Sequence, residues 1–114
     1  MITLYGIPNC DTMKKARTWL DQAGVDYQFH NYKKDGLDSA LGEQWLSELG
    51  WETIINKRGT TWRKLSDEQK SSMDNEMALQ VMLDNPSIIK RPLLDTGTQK
   101  VLGFKVEQYE SLFK

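Results

Sequence analysis

Ile2-Thr3-Leu4-Tyr5-Gly6-Ile7-Pro8-Asn9-Cys10-Asp11-Thr12-Met13 is the stretch on which the fold turns. Ile2 to Tyr5 is β-prone, and Gly6 to Asn9 is turn chemistry, so a strand should end there. Met13, Ala16, Leu20 and Ala23 then recur at helical spacing, and Gly24 supplies a stop. Asn9, Asp11 and Thr12 each carry a side-chain oxygen suited to capping that helix. Tyr27 to Tyr32 reads as a second strand, with Tyr27, Phe29 and Asn31 alternating against polar neighbours. Strand, helix and strand at this spacing form a βαβ unit, whose two strands must run parallel.

Further along, Leu41, Trp45 and Leu49 repeat every four residues, predicting a helix that ends near Gly50. A polar helix should begin at Ser66, because Glu68 and Gln69 fall close to capping-box spacing. Met77, Ala78, Val81 and Met82 mark another helical face that stops before Pro86. Ile88 to Leu94 and Lys100 to Phe104 read as a hairpin around Asp95-Thr96-Gly97-Thr98. Val106, Tyr109, Leu112 and Phe113 suit a closing helix. The expected architecture is α/β: a thioredoxin-like fold, a mixed four-stranded sheet with a helical insertion between strands 2 and 3. Pro92 fits that order. Inside a strand-like stretch a proline removes a ladder donor, which places it at an edge or at a cis bond. Thioredoxin-like folds put a cis-proline there, facing a reactive thiol.

The 114 residues suit one domain, 1–114, and 39% hydrophobic with 27% charged residues is ordinary for a soluble globular chain. A net charge of -1 gives no broad phosphate-neutralising surface, so nucleic acid is not an expected partner. No apolar run reaches bilayer-spanning length, and the N-terminus lacks the layout of a secretory signal. A single Cys forbids an internal disulfide and fits a reducing compartment, so the cytoplasm is expected. Monomer is the default, since no heptad or exposed apolar seam announces a dimer.

Cys10 is the candidate centre of chemistry. A strand-to-helix junction offers unpaired N–H groups and partial positive charge, both of which favour a thiolate. Lys14, Lys15 and Arg17 add positive potential, and Asp11 opposes it. A lone cysteine is also an ordinary small core residue; its position at the junction favours reactivity. The motif Cys10-Asp11-Thr12-Met13 is not C-x-x-C, so any turnover needs a thiol from outside the chain. Arg58 and Arg91 are the candidate anion holders, because a guanidinium grips carboxylates and oxyanions bidentately. Solvated or ion-paired roles are the ordinary alternative for both. Arg91 precedes Pro92 and so would face the thiol. His30, the only histidine, reads as a satisfied structural residue, and with no second Cys or His a zinc site is not expected. The Met and Trp residues at helical spacing read as core, and Lys33-Lys34-Asp35 as a solvated turn.

Together, Thr3–Thr12, Arg58-Gly59-Thr60-Thr61-Trp62-Arg63-Lys64-Leu65, Ile89-Lys90-Arg91-Pro92-Leu93-Leu94 and Leu102-Gly103-Phe104 span essentially the whole chain. On these segments the sequence resembles the arsenate reductase–Spx (ArsC) family, and within it the YffB-like subgroup. The resemblance implies a catalytic cysteine at Cys10 and oxyanion-binding arginines at Arg58 and Arg91. Glutathione is the implied co-substrate, with glutaredoxin a further partner and no cofactor bound. A third family arginine falls near Lys100 to Phe104, where this chain has Gly103. That departure weighs against arsenate as substrate, and the YffB-like subgroup resembles glutathione-dependent thiol reductases, which is the expectation adopted. Asn9, Asp11, Thr12 and Pro92 would shape the thiol site. The alternative is an Spx-like regulatory protein that contacts RNA polymerase without catalysis, although such regulators carry a C-x-x-C switch and position 13 here is Met.

Overall fold

In the computed structural model, which describes residues 2–8 and 10–113, the chain forms two compact units. One comprises the chain up to Tyr32 and from Arg91 onward, the other Lys33–Lys90.

The first unit carries the sheet. β1 (Thr3–Gly6) leads into α1 (Asp11–Gln22) and then β2 (Gln28–Asn31). The strands pair parallel, with Leu4 opposite Phe29 and Tyr5 opposite His30, as the βαβ spacing requires. After the second unit, β3 (Leu93–Asp95) and β4 (Lys100–Leu102) form the hairpin, and α8 (Val106–Phe113) closes the unit. β3 pairs antiparallel with β1, so the sheet order is β2-β1-β3-β4. This is the mixed four-stranded sheet with helices inserted between the second and third strands.

Leu4, Leu94 and Val101 from one sheet face meet Met13, Ala16 and Leu20 from α1 and Tyr109 from α8. Full burial of each large apolar side chain contributes about 1.5–3 kcal/mol, so this cluster holds α1 to the sheet. Met13 is fully buried, and a Cβ on Gly6 would collide with its sulfur and methyl group. Glycine at position 6 therefore lets the first turn of α1 sit directly on the end of β1. Among the described residues, Val106 is an exposed large apolar side chain, 41% accessible. It sits at the first position of α8, while Tyr109 carries the buried face.

The second unit is helical. α2 (Tyr32–Asp35) starts at its boundary, and α3 (Ser39–Leu49), α4 (Trp51–Ile54), α5 (Thr60–Arg63), α6 (Asp67–Ser71) and α7 (Asn75–Asp84) follow. α3 turns Gly42, Trp45 and Leu46 inward, and α7 turns Ala78, Val81 and Met82 inward. Lys33, Lys34 and Asp35 lie exposed on the short α2. α6 begins with the full capping box: Ser66 accepts from the Gln69 amide, and the Gln69 side chain accepts from the Ser66 amide.

One expectation fails here. Ile88 and Ile89 are not strand residues of the hairpin: Pro86–Ile88 is a 3-10 turn, and Ile89 makes an isolated bridge with Ile55. The apolar, β-branched pair satisfies its burial in the helical unit, and β3 starts only after Pro92. The one-turn helices α4 and α5 were also unanticipated, being too short to show a period.

Candidate active site

β1 and β2 are parallel and point the same way, so the turn after β1 and the start of α1 lie at their carboxyl end. α1 needs a residue with extended backbone as its cap, and Cys10 fills that place at φ -111° and ψ 131°. Asn9, Asp11 and Thr12 were the expected caps. Asp11 and Thr12 are instead the first two residues of the helix, and Asn9 lies outside the described residues. The Cys10 carbonyl accepts the first intrahelical bond, from the Lys14 amide at 3.0 Å.

β3 runs back along β1. The register that sets Tyr5 opposite Leu93 brings Pro92 level with Gly6. The Arg91–Pro92 peptide bond is cis, Pro92 is buried, and its carbonyl accepts from the Gly103 amide at 2.9 Å. The same register carries Arg91 toward the end of β1, from which α1 departs.

The Cys10 thiol is half-buried and packs at the edge of the core. Burial pushes its pKa up, since desolvation disfavours a thiolate. The Met13 amide, a hydrogen bond from the Arg91 side chain, the Thr12 amide and the Arg91 charge all act the other way. The net result is a thiol below its ordinary value. No capping hydrogen bond of ordinary geometry is made by the side chain; the helix amides act on the charged sulfur, which is the acceptor that matters for reactivity. Arg17 does not contribute as expected. Its Nε donates to the Tyr27 hydroxyl at 3.3 Å and its guanidinium lies 4.3 Å from the centre of the Phe29 ring.

Two participants escaped the sequence. Met13 matters through its backbone N–H, which no side-chain motif can reveal. Tyr32 is the other: 3% accessible, its ring 6.3 Å from Tyr5 and 5.8 Å from His30. Burial pushes the Tyr32 hydroxyl far up, Tyr5 adds to this, and the Arg91 charge opposes it. His30 belongs to this aromatic group, 5.0 Å from Tyr5.

Arg58 lies in the helical unit, between α4 and α5. It is exposed, and its guanidinium makes no hydrogen bond or ion pair among the described residues. Its amide donates to Asn56 Oδ1 at 3.1 Å. No cluster of three or more His, Cys, Asp or Glu able to hold a metal occurs among the described residues. Nor is any helix there long and apolar enough to cross a membrane.

The sequence pattern of the ArsC family matches residues 5–112. Among solved structures, the YFFB protein superposes with a TM-score of 0.95 at 47% identity, covering all of both chains. An arsenate reductase (ArsC) related protein from Brucella melitensis is 49% identical, with a TM-score of 0.80 over 99% of this chain and 94% of its own. The global transcriptional regulator Spx of Streptococcus pyogenes serotype M1 is 30% identical over 113 residues, 95% of this chain and 81% of the regulator.

Proposed function

Given that the chain belongs to the ArsC family, we propose that it is a glutathione-dependent thiol reductase with Cys10 as its only nucleophile. The observation that carries this reading is the place of Cys10 at the cap of α1, where the Met13 and Thr12 amides and the Arg91 side chain favour its thiolate. Such surroundings raise the thiolate fraction at neutral pH. The kinship with an arsenate-reductase-related protein adds support for oxidoreductase chemistry.

The Cys10 thiolate attacks the glutathione sulfur of a mixed disulfide R–S–S–G. A Cys10–S–S–G bond forms, and R–S⁻ leaves to take a proton from solvent. A second glutathione, as its thiolate, attacks that bond, releasing Cys10 as thiolate and forming glutathione disulfide. The balance is R–S–S–G plus one glutathione giving R–SH plus glutathione disulfide. Arg91 stabilises the cysteine each time it departs as thiolate. Arg58 offers an uncommitted guanidinium for a glutathione carboxylate. An external thiol is required because Met13, three residues after Cys10, is neither a thiol nor exposed. Glutaredoxin, by the family resemblance, is a candidate second reductant, and the cytoplasm the compartment in which such a thiol persists.

The kinship with Spx favours one rival, a regulator that contacts RNA polymerase. Intact mass spectrometry separates the two. Under this reading, glutathione disulfide adds one glutathionyl group at Cys10, excess glutathione removes it, and Cys10→Ser takes up none. A folded protein whose thiol stays unmodified, yet which binds RNA polymerase equally well as Cys10→Ser, would establish the rival instead.

A further inference from the structure

The turn Asn56-Lys57-Arg58-Gly59 between α4 and α5 is held from several sides. The Asn56 amide donates to the Ile88 carbonyl at 2.8 Å, and the next residue but one, Arg58, donates its amide to Asn56 Oδ1. The Gly59 amide donates to the Asn56 carbonyl at 3.3 Å, and a Cβ on Gly59 would stand only 3.1 Å from Asn56 Nδ2. Just beyond, Thr61 and Ser87 share a hydroxyl hydrogen bond of 2.9 Å. So tight a turn fixes the backbone of Arg58.

Lys57 behaves unlike an ordinary exposed turn lysine, which would leave its ammonium in water. Its Nζ lies 4.8 Å from the centre of the Trp51 ring and 5.9 Å from that of Trp62. The two indoles are stacked, 6.3 Å apart at 13°. Trp51 opens α4 and Trp62 lies within α5, so one ammonium links the helix before the turn to the helix after it. A cation over an indole face is attracted by the ring quadrupole, and Trp is the strongest such partner. The half-buried indoles could have been covered by any apolar side chain.

We propose that Lys57 is a positioning residue: seated on Trp51 and Trp62, it holds the turn that carries the Arg58 guanidinium, the anion-binding group of the proposed function. This deepens the proposed function and rests on Arg58 being an anion-binding residue. Removing one exposed cation–aromatic contact is a small perturbation for a folded domain, so the variants below should remain folded. Their effect should appear as lost discrimination.

The test compares wild type, Lys57→Gln, Lys57→Arg and Arg58→Ala, each with Cys10 intact. One readout is amide hydrogen exchange at Arg58 and Gly59. The other is the ratio of Cys10 modification rates with glutathione disulfide, which is anionic, and hydroxyethyl disulfide, which is neutral. Lys57→Gln should speed exchange at both amides and lower the ratio about three- to tenfold, a change confined to the anionic disulfide. Lys57→Arg, which keeps a cation on the indoles, should restore both. Combining Lys57→Gln with Arg58→Ala should cost no more than Arg58→Ala alone, as expected for residues acting as one unit. Unchanged exchange in Lys57→Gln, or an unchanged ratio while Arg58→Ala lowers it, overturns the proposal and leaves the reading of Arg58 intact. An unchanged ratio in Arg58→Ala overturns the anion-binding reading of Arg58 and this proposal with it; faster exchange in Lys57→Gln would mark that failure as belonging to Arg58, not to the brace.

Discussion

Arg91, the residue just before a cis-proline, lowers the pKa of the Cys10 thiol at the cap of α1 through its side chain and its charge. Two segments distant in sequence thus meet through the pairing of β1 with β3. The charge of Arg91 and the amides of Thr12 and Met13 together outweigh the burial of the thiol, which alone would raise its pKa. Any effect of the site on pH behaviour follows from that balance.

Stability should carry the same signature. The folded thiol lies below its ordinary value, so between the folded midpoint and the unfolded value of about 8.5 the unfolded chain binds more protons. The contribution of Cys10 is fully present above the unfolded value and disappears as pH falls through the folded midpoint. Urea midpoints of wild type minus Cys10→Ser should rise with pH across that interval. A flat or falling difference would contradict the balance of forces described here.

Gly103 stands where the family resemblance places an arginine, and its backbone favours glycine. Its φ is +82°, in the left-handed region, and nothing lies within 4 Å of where a Cβ would be. A side chain there has room but pays for the backbone, about 1–2 kcal/mol. Gly103→Ala and Gly103→Arg should therefore lose similar stability in urea unfolding. A Gly103→Arg protein as stable as wild type would show that the turn relaxes.

Tyr109 is fully buried, with Phe104 at 4.8 Å and Trp19 at 5.6 Å, both edge-on. Its hydroxyl has no hydrogen-bond partner among the described residues, and burial pushes its pKa far up. Tyr109→Phe keeps the ring contacts and removes an unpaired polar atom. Stability in urea should stay level or rise by up to about 1 kcal/mol. A clear loss would reveal a partner for that hydroxyl.

Much of this was legible from residue order. Met13, Ala16 and Leu20 repeat at helical spacing because one face of α1 must cover the sheet, and Ser66 with Gln69 announces a helix start by its own chemistry. Pro92 pointed to the thioredoxin-like order, and that order pointed to Arg91 as a residue facing the thiol. The caps were misjudged because Asn, Asp and Thr are the usual donors, whereas here the cap is Cys10 itself. Ile88 and Ile89 look like a strand locally, and only their neighbours in the helical unit decide otherwise. The Trp51, Lys57 and Trp62 group spans a tight turn with no periodicity, and Tyr32 meets Tyr5 and His30 only through the sheet. Both depend on contacts that no short window of sequence contains.

The most direct test of the central claim is the rate of iodoacetamide alkylation of Cys10 against pH, followed by intact mass in wild type and Arg91→Ala. The account predicts a wild-type midpoint below that of a free thiol, about 8.5, and an upward displacement in Arg91→Ala. A wild-type midpoint at or above the free value, or a folded thiol that does not react, would contradict an activated nucleophile at Cys10.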